Sequence, residues 1–240
     1  MAPTGKAFCF IPAKAGSTRL PGKNLRSLAG KSLLERTIAT VKQSGRFSAE
    51  EVIVSTEDEE TANVARAAGA STPYLRDPKL ARDPYEVYHV LLDYLENHNS
   101  LGPAYTHCLL CLPTSPFLWV KDIEESHAAF LASGRPVLMS VGAAEKNGFR
   151  LSTLEEGLLT PIRPDAYHTP RPELPPTYYV NGAIAWITLE DFRAAGTYYV
   201  EPVATYVMPA LRSVDIDTPE DFAWAEFLAL HYPEKVLEKL

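Results

Sequence analysis

The loop that follows the first apolar run contains the residues best suited to hold a polyanion. It reads PAKAGSTRLPGKN from residue 12 and includes three cations, Lys14, Arg19 and Lys23. Open α/β sheets bind ligands at the carboxyl ends of their strands, and this loop begins where a buried strand should end. Backbone N–H groups at glycines and nearby Lys and Arg side chains neutralise phosphates. The loop therefore predicts a phosphate site, and the alternative is a solvated basic turn.

The spacing within this loop separates it from two common nucleotide motifs. Five residues, not four, lie between Gly16 and Gly22, and the position after the following Lys is not Ser or Thr, so this is not a Walker A loop. The glycines do not form Gly-x-Gly-x-x-Gly, so a dinucleotide site is unsupported. The hydroxyls of Ser17 and Thr18 and the amide of Asn24 join the cations as candidate ligand groups.

A second candidate site is the acidic pair in the sequence SVDIDTP, which begins at residue 213. Extended chain would direct Asp215 and Asp217 to the same side. Two carboxylates held close together repel each other unless a cation lies between them, and Mg²⁺ binds one or two carboxylates together with substrate phosphates. Capping of a helix that begins at Thr218-Pro219 is the alternative, but it explains only one of the two aspartates. The pair predicts a magnesium site.

Two further turns supply polar groups beside predicted strands. Thr114 and Ser115 lie in a Pro-Thr-Ser-Pro turn at the carboxyl end of an apolar run, where a turn without a ligand role is an equal alternative. Asn181 opens another apolar run, where it suits either a ligand amide or a bulge. These three residues are candidate substrate contacts.

Apolar runs alternate with helical patterns along the chain, which predicts an α/β fold with a largely parallel sheet. Predicted strands cover 7–12, 51–55, 71–76, 107–112, 136–142, 182–188, 203–208 and 213–217. Predicted helices cover 32–43, 62–68, 85–97, 121–131 and 218–231. Capping boxes are predicted at the starts of the first two, Ser32 with Glu35 and Thr56 with Glu59. Residues 143–180 are rich in Pro, Arg and Gly and lack a period, which is typical of a functional or partner-covered segment.

The overall composition narrows the class of protein. The 240 residues suit a single domain, 1–240, and the net charge of −7 argues against nucleic acid or an anionic membrane as a partner. No run of about 18 apolar residues is present, so no membrane span is expected. The three cysteines lie in apolar runs and the N-terminal apolar run is too short for a signal peptide. A cytoplasmic or otherwise reducing location is expected.

Seven motifs in order resemble the cytidylyltransferases that make CMP-activated acid sugars. The resemblance is closest to CMP-sialic acid (acylneuraminate) synthetases, and CMP-3-deoxy-manno-octulosonate synthetases come second. The motifs are IPAKAGSTRLPGKNL at 11–25, LAGKSLLERTI at 28–38, VSTEDEE at 54–60, LRDPKLARD at 75–83, LPTSP at 112–116, NGAI at 181–184 and SVDIDTPEDF at 213–222. The likeness covers nearly the whole chain, and no single motif would establish it.

This resemblance implies a nucleotidyltransferase-type, Rossmann-like fold with a mostly parallel sheet and a small dimerisation arm. It implies transfer of CMP from CTP to an acidic acceptor, with release of pyrophosphate. Lys14, Ser17, Lys23 and Asn24 match positions that hold the nucleotide and triphosphate, and Arg76 matches a nucleotide-contacting arginine. Catalysis would then consist mainly of positioning and charge neutralisation, with Lys14 and Lys23 acting on the triphosphate.

The resemblance also assigns the metal, the acceptor and the assembly. Asp215 and Asp217 match the Mg²⁺-binding pair, and Asp217 is expected to be essential for turnover. Asn181 matches a sugar-contacting asparagine, while Tyr198 and Tyr199 match an aromatic pair near the sugar. Residues 143–200 resemble an arm that joins two subunits and helps to complete the neighbouring site, which implies a homodimer.

Several positions depart from the pattern of the family. Lys14 stands where Arg is usual, Leu112 where Gln is common, and Ala185 where an aromatic residue is common; residues 84–87 replace the usual hydroxyl side chains. These changes favour an acceptor other than ordinary N-acetylneuraminate: another nonulosonic acid, an octulosonic acid or a small phosphonate acid. A nucleotide-sugar-dependent glycosyltransferase and a non-catalytic nucleotide-binding domain remain as alternatives of other classes.

Overall fold

The apolar runs build a central six-stranded sheet, seen in a computed structural model that describes residues 5–238. The strands in chain order are β1 (Lys6–Pro12), β2 (Ser27–Leu28), β3 (Lys31–Ser32), β4 (Val52–Ser55), β5 (Tyr105–Leu110), β6 (Val137–Ala143), β7 (Ser152–Glu155), β8 (Leu158–Pro161), β9 (Tyr178–Thr188) and β10 (Ala204–Met208). The helices are α1 (Leu33–Gln43), α2 (Glu59–Ala67), α3 (Val87–Asp93), α4 (Val120–Ser133), α5 (Pro164–His168), α6 (Leu189–Ala195), α7 (Pro219–His231) and α8 (Pro233–Val236).

The order of strands in the main sheet is β10-β6-β9-β5-β1-β4. Strand β1 is parallel to both of its neighbours, β10 is parallel to β6, and β9 is antiparallel to β5 and β6. The predicted mostly parallel α/β fold is therefore confirmed. After β1 the chain forms β4 on one side and then returns to form β5 on the other, which places a topological switch point beside β1.

Strand β1 is buried on both faces, as its continuous apolar sequence predicts. Cys9 and Ile11 contribute to one core cluster beneath α1, whereas Phe8 and Phe10 contribute to the cluster on the opposite face. The ring of Tyr94 lies 5.7 Å from that of Phe8 and 5.4 Å from that of Phe10, centroid to centroid. This packing fixes the strand whose carboxyl end carries the basic loop.

Helix starts were predicted with mixed success. Ser32 caps α1 in a full capping box with Glu35, as predicted. The box predicted at Thr56 and Glu59 is wrong, because Asp58 caps α2 instead: its Oδ2 accepts a 2.7 Å hydrogen bond from the Thr61 N–H. The backbone of Thr56 is engaged elsewhere, since its carbonyl accepts from the Arg76 N–H.

Two predicted strands do not form as such. Residues 71–76 make only two isolated parallel bridges, from Ser71 to Ile53 of β4 and from Leu75 to Thr56 just beyond the end of that strand. Residues 213–217 are unpaired with the sheet, because β10 ends at Met208 and a 3₁₀ turn at Ala210–Arg212 leads the chain away from it. The N–H of Ile216 instead donates to the Thr114 carbonyl at 2.8 Å, which holds this segment at the carboxyl edge of β5.

An excursion of the chain between β6 and β9, residues 144–177, forms an arm that contains the β7–β8 hairpin and α5. It is shorter than the predicted 143–200, because β9 and α6 belong to the main layer. Six large apolar side chains of the arm are exposed: Leu151, Leu154, Leu158, Leu159, Ile162 and Tyr167. Within residues 5–238 no helix has the length and apolar character needed to cross a membrane.

Candidate active site

A cleft of about 770 Å³, counted with the part open to solvent, lies at the carboxyl ends of β1 and β5, beside the switch point. The loop after β1 contributes Lys14, Lys23 and Asn24 to its wall. The segment before α7 contributes Asp215 and Asp217. The fold thus brings together the two chemical groups that the sequence indicated separately, although they are almost 200 residues apart in the chain.

Asp217 connects these two groups through ion pairs. Its Oδ1 accepts from Lys23 Nζ at 2.8 Å and its Oδ2 accepts from Arg19 Nη2 at 2.7 Å. Partial burial acts to raise the pKa of Asp217, but the hydrogen bond and charge of Lys23, with the charge of Arg19, lower it overall. The Lys23 side chain is buried in a 3₁₀ turn that begins after Gly22, whose left-handed φ of 64° suits glycine.

Asp215 is in a different electrostatic environment from its neighbour. It is accessible to solvent from the cleft, but the cleft walls remove part of its hydration, and this desolvation is the main reason that its pKa is raised. The charge of Asp217 raises that pKa further, while a hydrogen bond from Thr114 and the charge of Lys23 act in the opposite direction. The cleft therefore contains two carboxylates whose pKa values are displaced in opposite directions.

Asn24 fixes the conformation of the basic loop. Its Nδ2 donates to the Lys14 carbonyl at 2.8 Å, which joins the two ends of the loop. Its Oδ1 is buried and has no hydrogen-bond partner within residues 5–238. An acceptor left unpaired beside a cleft is a site where a ligand donor would be stabilised.

Glu57 is a central residue of the site that the sequence reasoning missed. Its Oε1 accepts from the Ala15 N–H at 2.8 Å and lies 3.4 Å from the Gly16 N–H, so these amides hold Glu57 rather than facing the cleft as a phosphate cradle. Its Oε2 accepts from Arg76 at 2.7 Å. Its position in the sequence could have indicated it, since a carboxylate two residues after the buried strand β4 lies at the edge of the sheet where ligands bind.

Two residues predicted to contact substrate are buried outside the cleft wall. Asn181 is fully buried; its Oδ1 accepts from Ser140 Oγ at 2.6 Å and its Nδ2 donates to Ser213 Oγ at 3.0 Å. Ser115 is also buried and donates to the Asn181 carbonyl at 2.9 Å. In this conformation neither side chain is free to contact a ligand, and both support the segment that leads to Asp215. Thr114, by contrast, lines the cleft.

The predicted aromatic pair and the loop hydroxyls also lie away from the cleft wall. Tyr198 is buried and packs against Phe192, while Tyr199 is exposed and lines a separate apolar hollow with Val180. Ser17 is half-buried and Thr18 is exposed on the outer part of the basic loop.

Of the positions that depart from the family pattern, some line the cleft and one lies in the core. Leu112 lines the cleft, as do Tyr85, Glu86 and Val87, which stand where hydroxyl residues are usual. Ala185 does not line the cleft: it is buried in β9 and belongs to the core cluster that also contains Phe8. The expectation that Ala185 shapes the acceptor pocket is therefore wrong for this conformation, because its strand position faces the core.

Comparison with known proteins identifies the class to which this fold and cleft belong. Residues 8–158 match the Cytidylyltransferase family. The chain belongs to this family, and it is a nucleotidyltransferase that uses CTP. This assignment replaces the glycosyltransferase alternative.

Individual relatives match nearly the whole chain. The CMP-N,N'-diacetyllegionaminic acid synthase of Legionella pneumophila is 35% identical over 226 residues, which cover 93% of this chain and 96% of the relative. The N-acylneuraminate cytidylyltransferase of Streptococcus agalactiae serotype V is 29% identical over 90% of this chain, but the match covers 52% of that longer protein. The solved structure of CMP:2-keto-3-deoxy-manno-octonic acid synthetase with CTP superposes with a TM-score of 0.63, covering 94% of this chain and 98% of that one; at 19% identity it supports the fold.

Proposed function

We propose that this enzyme transfers CMP from CTP to a sialic-acid-like 2-keto-3-deoxy sugar acid, of the N,N'-diacetyllegionaminic acid type, and releases pyrophosphate. The observation that carries the proposal is the cleft itself, in which Lys14 and Lys23 face the carboxylates Asp215 and Asp217 beside the switch point of the sheet. The name of the Legionella pneumophila relative supports the choice of acceptor.

The basic loop is the proposed site of the triphosphate. Lys14 and Lys23 would offset its negative charge, with Arg19, Ser17 and Thr18 on the outer part of the same loop. Asn24 and Arg76, which are buried in the cleft wall, would contact the remainder of the nucleotide. This arrangement, with the free cations on the loop and the buried polar groups in the wall, suits CTP, because only its triphosphate carries several charges that need neutralising.

Asp215 and Asp217 are the proposed ligands of Mg²⁺, and their chemistry fits that ion. Both offer carboxylate oxygens, and the charge of Asp217 helps to raise the pKa of Asp215, a repulsion that a cation would relieve. Residues 5–238 contain no cluster of three or more His, Cys, Asp or Glu side chains suited to a metal, so phosphate oxygens and water would complete the coordination. When bound, Mg²⁺ would supply charge stabilisation on the phosphate oxygens.

The reaction proposed for this cleft is an in-line substitution at the α-phosphorus of CTP. The anomeric hydroxyl oxygen of the acceptor forms the new P–O bond, and its proton passes to a base in the cleft. The bond between the α-phosphorus and the bridging oxygen breaks, and pyrophosphate leaves with the bonding electrons. Lys14 and Lys23 stabilise the charge that accumulates on this leaving group.

Leu112 is the cleft residue most directly connected with acceptor choice. Its side chain lies next to Gly182, where an added Cβ would approach Leu112 Cδ1 to 3.0 Å. An apolar wall at this position cannot donate a hydrogen bond to an acceptor hydroxyl, whereas it can pack against an acyl or deoxy group. This property favours a diacylated acid over ordinary N-acetylneuraminate.

The arm is the proposed dimerisation surface of a homodimer that completes the acceptor site. Leu154 and Leu159 face each other across the β7–β8 hairpin and are both exposed, as are Leu158 and Ile162. Several large apolar side chains exposed on one hairpin are typical of a protein–protein interface. The three cysteines are free and buried, which fits the proposed cytoplasmic location.

Pyrophosphate release from CTP and Mg²⁺ tests the proposal when it is followed with a panel of acceptors. The panel contains N,N'-diacetyllegionaminate, pseudaminate, N-acetylneuraminate, 3-deoxy-manno-octulosonate and a small phosphonate acid. We expect release with the legionaminate type and a lower kcat/KM with N-acetylneuraminate. Release with the octulosonate or the phosphonate alone would change the acceptor class, and CTP binding without release on any acceptor would favour a non-catalytic nucleotide-binding domain.

A further inference from the structure

The carboxylate of Glu57 joins three separate segments of the chain. It lies beyond the end of β4, and its Oε1 accepts from the Ala15 N–H of the basic loop at 2.8 Å. Its Oε2 accepts from Arg76 Nε at 3.1 Å and from Arg76 Nη2 at 2.7 Å. The side chain of Glu57 is only 12% exposed and that of Arg76 only 2%. A paired charge of this kind, largely withdrawn from water, has a defined geometry.

The two segments that Glu57 holds both contribute to the cleft wall. Lys14 precedes Ala15 directly, and its carbonyl is also held by Asn24, so the loop is anchored on two sides. Arg76 reaches the same cleft from the segment after α2. A single carboxylate therefore sets the spacing between Lys14 and Arg76, although sixty-odd residues separate them in the chain.

The ion pair also determines what Arg76 can offer to a ligand. Nε and Nη2 are used by Glu57, whereas Nη1 has no protein acceptor within residues 5–238. Because Glu57 compensates its charge, Arg76 is a poor neutraliser of the triphosphate but a well-oriented hydrogen-bond donor. Loss of the Glu57 charge would leave a buried guanidinium uncompensated and free to rotate.

We infer that Glu57 is a positioning residue for CTP: it holds Arg76 and the Lys14 loop at the separation that the nucleotide requires, without contacting the nucleotide itself. This inference rests on the proposed function of the cleft. It predicts an effect that is specific to CTP, because the hydrogen bonds of Glu57 go to Ala15, Gly16 and Arg76, which lie on the proposed nucleotide side of the cleft.

The test compares Glu57→Gln and Glu57→Asp with Glu59→Gln in the full-length protein. Glu59 is a matched control, since it also pairs with an arginine, Arg66, at 2.9 Å but on the exposed surface. CTP affinity is measured by titration calorimetry with Mg²⁺ present, and KM and kcat are measured with the best acceptor of the panel. Thermal melting establishes that each variant is folded.

We expect Glu57→Gln to weaken CTP binding by about 10- to 100-fold, the usual range for losing a hydrogen bond to a charged group. The acceptor KM should not change, and kcat at saturating CTP should stay within about threefold of the wild type, because positioning of the nucleotide acts on binding. Glu57→Asp, too short to reach both partners, should give an intermediate loss, and Glu59→Gln none. If Glu57 only stabilised the fold, the variant would contain less active enzyme. The apparent kcat would then fall while the KM for CTP stayed unchanged.

Unchanged CTP affinity in a folded Glu57→Gln, beside a wild type that binds CTP, would overturn this inference alone. Equal increases in the KM of CTP and of the acceptor would also overturn it. A wild type that binds no CTP would overturn both the inference and the proposed function.

Discussion

Asp217 is held by ion pairs with Lys23 and Arg19, so it is part of a charged network in the cleft wall. Replacement by Asn keeps the shape but removes the charge that the proposed Mg²⁺ site needs. We expect Asp217→Asn to lower kcat/KM at least about 100-fold, a typical cost for removing electrostatic stabilisation of a transition state. Pyrophosphate release at several Mg²⁺ concentrations measures this effect.

The control for Asp217→Asn is Glu220→Gln, an exposed acidic position in the first turn of α7. Glu220→Gln should melt within a few degrees of the wild type. Asp217→Asn should melt at a lower temperature but stay folded under the assay conditions, because it removes the charge that compensates the buried Lys23. Near-normal turnover of Asp217→Asn with an unchanged Mg²⁺ dependence would contradict the proposed metal role of the pair.

At the residue scale, the sequence predicted which side chains would meet where each stands in a loop at the same edge of the sheet; their roles in binding and catalysis stay predictions. Lys14, Lys23, Asp215 and Asp217 lie in the cleft wall because each follows or precedes an element at the same sheet edge. The predicted substrate contact of Asn181 is not seen, since a polar side chain in a strand can hydrogen-bond within the protein as well as to a ligand. The hydrogen bonds to Ser140 on β6 and to Ser213 after the 3₁₀ turn join segments that only the tertiary structure brings together.

At the scale of an element, the capping box of α1 is a direct consequence of the sequence. Glu35 Oε2 accepts from the Ser32 N–H at 2.8 Å, and the Glu35 N–H donates to Ser32 Oγ at 3.2 Å. We expect Ser32→Ala to lower the free energy of unfolding by about 1 kcal/mol, the usual cost of losing such a cap. Urea unfolding at neutral pH measures it, with the exposed Ser27→Ala as a control that should change little.

A histidine on α4 predicts how stability depends on pH. Burial, followed by the charges of Arg46 and His107, lowers the pKa of His127 to about 4, and its ring packs on Trp186. In the unfolded chain the imidazole of His127 binds a proton near pH 6.5, whereas in the folded chain it binds one only near pH 4. The contribution of His127 is therefore present above about pH 6.5 and is lost as the pH falls towards 4.

The measurement is the free energy of unfolding from urea curves at several pH values between 4 and 7.5. His127→Gln should give a shallower decline than the wild type over this window, because its side chain does not titrate. His107, whose pKa burial also lowers, should account for part of the slope that remains. Identical slopes in the two proteins would contradict the assignment to His127.

Most elements were predictable because their hydrophobic period and their caps agree. The strand predicted at 213–217 was not, since alternation describes extended chain whether or not a neighbouring strand is available to pair with it. The sequence predicts a strand only from residue 182, because residues 143–180 lack a hydrophobic period, whereas β9 begins at Tyr178. Pairing with β6, which extends β9, is a long-range contact that no local pattern encodes.

At the scale of the whole molecule, the exposed leucines of the arm predict an assembly. We expect the wild type to be a dimer and Leu154→Glu, with Leu159→Glu, to dissociate it, because two charges would then be buried at the interface. Size-exclusion chromatography with light scattering measures the mass. Turnover should fall with the dimer, while CTP binding should persist.

Leu230→Glu is the matched control for this experiment, since Leu230 is equally exposed but lies on α7. It should remain dimeric and active. A wild type that is monomeric at micromolar concentration, or a Leu154→Glu and Leu159→Glu protein that stays dimeric, would contradict the proposed role of the arm.

The whole fold was the most predictable level, because alternation of strands and helices with continuously apolar strands permits few arrangements. The antiparallel insertion of β9 between β5 and β6 was not predicted. The order of strands depends on which edges remain free after the first half of the sheet has formed, and this cannot be deduced from the periodicity of one strand.

The way in which the arm is joined to the sheet has a consequence for how such enzymes can diversify. Ala143 and Tyr178 are partners on adjacent antiparallel strands, and the Ala144 N–H donates to the Thr177 carbonyl at 2.9 Å. The chain thus leaves and re-enters the sheet at one rung of the ladder, as it would in a simple hairpin. The positions of Ala143 and Tyr178 in the sheet therefore do not depend on the length of the chain between them, and an arm of another length is compatible with the same register of β6 and β9. An arm that exposes a different surface is therefore compatible with the same cleft, because none of the residues that line the cleft lies within 144–177.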